Sequence, residues 1–267
     1  MCVNEIIIAI IIGIVEGLTE FLPISSTGHM ILVGSLLGFE GEKAAVFSVF
    51  IQLGAILSVL ILYWDKFLRL LDFRSPIGRR ELTPWHVAAG IVPVLGIGFF
   101  LHKPIKAYLF SPFTVIIGLV AGSILMLAAE KIAKRPQTRE LDEITLRQAF
   151  FVGLFQILSL WPGFSRSGST IAGGLLFSMS RKAAAEFSFI IAVPIMAIAC
   201  VYDLLKIWSQ LNTNDLAMLA VGFVTAFIVA WLSIIWFLRF LNRSTLTSFA
   251  YYRLAVAALS YYWFFGR

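Results

Sequence analysis

Apolar runs of about twenty residues recur along the whole chain, and they leave its backbone few ways to fold. In lipid every N–H and C=O must be satisfied within the protein, so only helices and closed barrels cross a membrane. Roughly 20 apolar residues span the hydrocarbon as a helix, and these runs lack the two-residue alternation of a membrane strand. Mean hydropathy is +0.91, and 60% of the 267 residues are hydrophobic against 13% charged, far from the balance of a soluble domain. The sequence therefore predicts an all-α polytopic membrane protein, a single integral membrane domain over 1–267. No basic residue precedes the first apolar run, so no signal peptide is expected. Cys2 and Cys200 show neither metal-ligand spacing nor a disulfide pattern, which sets zinc and redox chemistry aside. The formal charge of +6 sits in short loops without a nucleic-acid-binding motif, so no nucleic acid partner is expected.

Proline and serine divide the first apolar stretch. A helix over 5–22 ends at Leu22-Pro23, because the residue before proline is pushed out of the helical region. Ser25-Ser26-Thr27-Gly28 then offers N-caps to a short helix over about 27–37. Each is short for a crossing, so the pair reads as a re-entrant helix-loop-helix whose polar break faces protein or a watery cavity. Three full spans follow near 44–64, 85–101 and 112–130, with turns at Asp72-Phe73-Arg74-Ser75-Pro76 and His102-Lys103-Pro104. The pattern then restarts, with apolar 147–161, a break over Pro162 to Gly168, a short helix to about 178, and spans near 183–205, 216–238 and 247–265.

A shift of 140 positions pairs Gly13 with Gly153, Ser25 with Ser165, Gly28 with Gly168, Phe47 with Phe187 and Ile51 with Ile191, and a shift of 132 pairs Ala88 and Gly90 with Ala220 and Gly222. The chain thus reads as internal repeats over about 1–131 and 144–267. Each repeat holds one re-entrant pair and three crossings, giving six full spans and about ten helices. Three crossings place the second copy on the opposite side, so the repeats are inverted. Loop charge agrees, since cytoplasmic loops collect Lys and Arg. One predicted side carries 14 basic residues, from Lys66 to Arg243, and the other only Lys43, Lys103, Lys106, Lys206 and Arg267.

Inverted broken helices meet near the midplane, where half-helix N-termini bind anions. This joins Ser25, Ser26 and Thr27 to Ser165, Arg166, Ser167, Gly168 and Thr170, a set of hydroxyls, free N–H groups and a guanidinium suited to phosphate-like oxyanions. Glu16 and Glu20 share a helix face at roughly 5 to 6 Å between Cβ atoms, which suits a shared divalent cation or a general base. His29, three residues after Ser26, is placed to orient or deprotonate a nucleophile or protonate a leaving group. His86 and His102 are expected at the interface, Glu130, Asp203 and Asp215 as solvated helix ends, and Trp64, Trp85, Trp208, Tyr251 and Tyr262 in an aromatic belt. Gln52, Gln156, Glu186 and Arg253 are candidates to support the site from behind, with Glu186 pairing with a basic residue nearby.

The stretches Glu16-Gly17-Leu18-Thr19-Glu20-Phe21-Leu22-Pro23-Ile24-Ser25-Ser26-Thr27-Gly28-His29 and Pro162-Gly163-Phe164-Ser165-Arg166-Ser167-Gly168-Ser169-Thr170 resemble the two signature motifs of the bacterial undecaprenyl-diphosphatase family, called BacA or UppP. The resemblance covers essentially the full chain, including Ala185-Glu186-Phe187-Ser188-Phe189. It implies a multi-pass phosphatase of the bacterial cytoplasmic (inner) membrane, acting on undecaprenyl diphosphate for peptidoglycan synthesis and associated with bacitracin resistance. It also implies dependence on a divalent cation (Mg²⁺ or Ca²⁺), an active site opening to the periplasmic side, and functional roles for Glu16, Glu20, Ser26, His29 and Arg166. The resulting expectation is in-line attack by Ser26, with His29 or Glu20 taking its proton; a water activated by Glu20 is the other nucleophile left open. Glu16 and Glu20 would hold the cation, and a homodimer is compatible with the sequence. A polyprenyl-phosphate lipid flippase or small-anion transporter is the reading from another class, since inverted broken helices are also transporter architecture.

Overall fold

The computed structural model describes residues 3–72, 81–109, 111–207 and 215–266. Eleven α-helices follow one another among these residues: α1 (Val3–Thr19), α2 (Ser26–Leu37), α3 (Glu42–Leu62), α4 (Trp64–Leu70), α5 (Pro84–Tyr108), α6 (Pro112–Ile132), α7 (Leu146–Gln156), α8 (Arg166–Leu176), α9 (Arg181–Ile207), α10 (Leu216–Leu241) and α11 (Thr247–Phe265). Among the same residues no strand forms. The expected turn over Phe73-Arg74-Ser75-Pro76, Arg79, Arg80, Cys2, Trp208 and Arg267 lie outside the described residues, as do the side chains of His102, Lys103, Lys106 and Lys206.

Helices α3, α5 (to Leu101), α6, α9 and α10 are long and apolar enough to cross a membrane. The expected sixth span, α11, falls short in hydropathy because Arg253 and four tyrosines lie in it. Packing places it at the same depth nonetheless, because it runs antiparallel to α6 from end to end. Its Leu246 N–H donates to Glu130 (2.7 Å), Arg253 reaches the Gly118 and Leu119 carbonyls, and Phe265 stacks edgewise on Phe113.

Local chemistry moved several boundaries. Helix α1 ends at Thr19 rather than Leu22, since Pro23 has no N–H for the Thr19 carbonyl and Leu22 is held out of the helical region. The expected turn at His102-Lys103-Pro104 is absent, and α5 runs through Pro104 to Tyr108. His86 is buried rather than interfacial: its Nδ1 accepts from the Thr83 N–H at 3.2 Å and caps the start of α5.

Ion pairs mark the two ends of the bundle. Lys43 Nζ lies 2.8 Å from both Glu5 and Asp215, tying together the starts of α1, α3 and α10. At the other end Lys66 pairs with Asp142, Lys182 with Glu140 and Arg181 with Glu130. Glu130 is thus not a solvated helix end, since its side chain is buried and also accepts from the Leu246 N–H. The α1–α2 hairpin enters and leaves at the Lys43 end, whereas α7–α8 does so at the Arg181 end.

Small residues let the helices approach. A Cβ on Gly13 would lie 2.9 Å from the Gly222 carbonyl, and one on Gly153 would lie 2.6 Å from the Gly90 carbonyl. Gly222 is in turn covered by Phe47 and Ile51, and Gly90 by Phe187 and Ile191. One small-residue contact is therefore made twice, at positions 140 and 132 apart, the form of close packing that membrane helices use in place of a hydrophobic drive.

Candidate active site

Both breaks turn on a serine in the left-handed region, Ser25 at φ 71° and Ser165 at φ 75°. Such a conformation costs a non-glycine residue of order 1–3 kcal/mol and persists only where the surroundings over-determine it. The consequence is an abrupt restart of the helix, with the first N–H groups of α2 and α8 unpaired by the helix itself. Ser165 Oγ caps α8 by accepting from the Gly168 N–H at 3.2 Å, while the Ser25 hydroxyl caps nothing in α2.

Glu20, in the turn after α1, joins the two breaks. Its Oε2 accepts from Ser26 Oγ at 2.6 Å and its Oε1 from Arg166 Nη2 at 3.1 Å. The other arm of Arg166 donates to the carbonyl and hydroxyl of Ser188, at 3.0 and 3.1 Å, and the guanidinium lies 5.6 Å from the Phe21 ring centre. Arg166 Nε is buried without a partner among the described residues. The arginine is thus oriented on three sides at the wall between the two breaks. Glu20, Ser25, Ser26, Thr27, Ser165 and Arg166 line a cavity of 230 Å³.

A second cavity, of 480 Å³, adjoins it between α1, α2 and α3 and shares Ser26, Thr27 and Gln52 with it. Its other walls are largely apolar, including Ile12, Met30, Ile31 and Phe39, and it opens past Glu40 and Gly41 at the Lys43 end. Glu16 lines it, with Oε1 buried and unpartnered among the described residues. No three His, Cys, Asp or Glu side chains converge as a metal site among the described residues. A hard divalent cation needs no such cage, because Mg²⁺ takes one or two carboxylates and fills its shell with water and substrate phosphate. The orphaned Glu16 oxygen beside Glu20 fits that pattern.

The structure separates the residues singled out from sequence. His29 was expected beside Ser26, but its ring turns to α11: Nδ1 lies 2.9 Å from the Ser25 carbonyl and Nε2 2.8 Å from the Tyr252 hydroxyl. A carbonyl only accepts, so Nδ1 carries the proton, and the ring makes no hydrogen bond to Ser26 or Glu20. Ser167, Gly168 and Thr170 sit behind the small cavity rather than on its wall. Ser167 Oγ donates to the Leu22 carbonyl at 2.8 Å, locking one break to the other, and Thr170 Oγ1 donates to the Arg166 carbonyl and to Ser188. Glu186 accepts from Tyr63 at 3.4 Å, and no ion pair to it forms among the described residues. Sequence reasoning gave no role to Ser188, Tyr252 or Phe21; Ser188 carried one signal, its place in the repeat register with Ser48.

The halves differ at matching positions. Ile12, Ile31, Ala44, Ala45, Ser48 and Gln52 line the larger cavity, whereas Val152, Ile171, Ala184, Ala185, Ser188 and Ala192, 140 positions on, are all fully buried. Gln156, in the place of Glu16, is buried with both polar atoms unpartnered among the described residues.

Fold and site together define a polytopic membrane protein with an acid-serine-arginine centre between two broken helices. The chain belongs to the family of the bacitracin resistance protein BacA, whose model matches residues 9–259. It is 54% identical over 258 residues to "Undecaprenyl-diphosphatase 1" of Bacillus thuringiensis (strain Al Hakam), covering 96% of this chain and 97% of the relative. Proteins of the same name from Bacillus cereus and Bacillus anthracis are each 53% identical over 258 residues, with the same coverage.

Proposed function

We infer that this protein hydrolyses undecaprenyl diphosphate to undecaprenyl phosphate and phosphate, returning the lipid carrier to peptidoglycan synthesis and contributing to bacitracin resistance. The carrying observation is the Ser26–Glu20–Arg166 chain of contacts, set where a polar cavity meets an apolar one. The diphosphate occupies the small cavity, and the first part of the isoprenoid tail lies along the larger one, with the rest in the bilayer.

Ser26 is the nucleophile and Glu20 its base, because the hydroxyl already points its proton at Oε2. Arg166, the Ser25 and Ser165 hydroxyls and the free N–H groups of α2 and α8 hold the diphosphate oxygens as charge shifts toward the leaving group. Attack forms the Ser26 Oγ–phosphorus bond and breaks the bridging P–O bond, releasing the lipid monophosphate. Glu20 returns the serine proton to the departing lipid phosphate, then deprotonates a water that attacks the phosphoserine, and gives that proton to Ser26 Oγ as phosphate leaves. Glu16 and Glu20 would hold a divalent cation, which when bound supplies positive charge to the diphosphate oxygens. His29, hydrogen-bonded to Tyr252, holds the Ser25 carbonyl and so the start of α2.

Two inverted repeats account for the paired left-handed serines, the doubled glycine contact and the hairpins entering from opposite ends. The larger cavity opens at the end poor in basic residues, which supports an active site facing the periplasm across the inner membrane. Incubating purified protein in detergent with undecaprenyl diphosphate and Mg²⁺ or Ca²⁺ tests the assignment, with stoichiometric phosphate release expected. Lipid movement in liposomes without phosphate release would replace it with the flippase reading.

A further inference from the structure

Arg253, in the middle of α11, is fully buried, and its guanidinium is surrounded by backbone oxygens rather than by a carboxylate. Nη2 donates to the Gly163 and Phe164 carbonyls of the second break, at 3.0 and 2.9 Å, and to Gly118 and Leu119 of α6 at 3.3 and 3.2 Å. Nη1 reaches the Pro23 carbonyl of the first break at 3.4 Å. No ion-pair partner for it occurs among the described residues. A buried cation without a counter-charge is unfavourable unless its donors are well satisfied, so its place here calls for a reason. The neighbouring backbone is cleared for it, since a Cβ on Gly122 would lie 2.2 Å from Nη2 and one on Gly168 3.0 Å from Nη1.

The gripped carbonyls sit next to the strained turns. Phe164 directly precedes Ser165, and Pro23 lies two residues before Ser25. Left-handed serines need surroundings that over-determine them. A single planar fork holding both loops meets that need, and a lysine, whose donors diverge from one nitrogen, does not.

We propose that Arg253 is a positioning residue, which by holding the carbonyls of both breaks at once sets the two broken helices in the register that brings Glu20 and Ser26 of one against Arg166 of the other. Its effect on rate rests on the diphosphatase reading, while its effect on geometry does not.

The test compares full-length wild type with Arg253→Lys and Gly122→Ala, purified in detergent. Amide hydrogen exchange is followed over 24–28 and 163–168, alongside kcat and KM for undecaprenyl diphosphate. Arg253→Lys is expected to speed exchange in both breaks while α3 and α10 keep their protection. Its kcat should fall by about a hundredfold, the scale of an ångström of misplacement, and by more than KM changes. Gly122→Ala presses a methyl onto the guanidinium from α6 and also onto the Phe164 carbonyl, 2.5 Å from the added Cβ, so its readout is the first break, 24–28, which it reaches only through Arg253; faster exchange there carries the test if the lysine variant does not fold. Unchanged exchange in either break, or exchange rising equally in all helices, would overturn the proposal, as would wild-type kcat with both breaks loosened. If the wild type itself releases no phosphate, the functional reading fails and the exchange comparison still decides the role of Arg253.

Discussion

Replacing Glu20 by glutamine keeps the side chain's size and removes its charge, so it separates chemistry from shape. In the intact protein one carboxylate receives the Ser26 proton at 2.6 Å and the Arg166 guanidinium at 3.1 Å, with both partners of the ion pair largely buried. The amide oxygen can still accept one of these bonds but cannot take a proton from serine. Loss of a positioned general base costs about 10²–10⁴ in rate, equivalent to about 2.7–5.4 kcal/mol of barrier at 1.36 kcal/mol per decade. Breaking a buried pair outright costs about 3–5 kcal/mol of stability. That is an upper bound here, because the amide replaces one acceptor while Ser188 and Phe21 keep their hold on Arg166. Freed from its carboxylate, Arg166 binds a phosphate oxygen with less competition. The expected signature of Glu20→Gln is therefore a kcat lowered by at least two decades, a KM that does not rise, and a modest loss of thermal stability. Phosphate release from undecaprenyl diphosphate over a substrate range, paired with a thermal melt in the same detergent, measures all three. A folded variant with wild-type kcat would refute Glu20 as base, and an unchanged kcat with a raised KM would make it only a binding residue.

Ser26→Ala should eliminate the phosphoserine that rapid quenching of wild type traps on Ser26, together with turnover; full turnover by that variant would transfer the attack to water. Chelation is expected to suppress hydrolysis and added Mg²⁺ or Ca²⁺ to restore it, with Glu16→Gln raising the cation concentration for half-maximal rate. Gly17→Val drives side-chain atoms into the α10 backbone, since a Cβ there already lies 2.8 Å from the Ala226 carbonyl. Overpacking of this kind costs about 1–3 kcal/mol or more, visible as a lower melting temperature in detergent.

The broken helices were legible because proline, serine and glycine act on the nearest few bonds, and the paired Gly13–Gly222 and Gly153–Gly90 contacts because those glycines stand at matching spacings in the sequence. The polar residues of the centre stood out because lipid makes such groups costly. Side-chain direction was not legible. His29 and Ser26 lie three apart on one helix, yet whether the imidazole faces Glu20 or α11 depends on Tyr252, 223 residues away in sequence. Arg253 similarly shows only as one arginine in an apolar helix, because its partners are carbonyls, which every residue has. The end of α5 differs for another reason: a proline disfavours but does not forbid a helix, and α5 passes through both Pro93 and Pro104.

The solid packing of Ala184, Ala185 and Ile171, set against the open space beside Ala44, Ala45 and Ile31, gives the two halves different tolerance to change. A Cβ added at Gly34, on the cavity wall, would meet only the Phe39 carbonyl, at 3.0 Å, whereas one at Gly174 would lie 2.6 Å from the Ala184 methyl. Enlarging residues that line the larger cavity should therefore leave folded protein with altered lipid preference, while the matching changes 140 positions on remove protein from the membrane. Variation that reshapes what this molecule accepts is thus open to the cavity wall of the N-terminal half and largely closed to the matching positions of the C-terminal half.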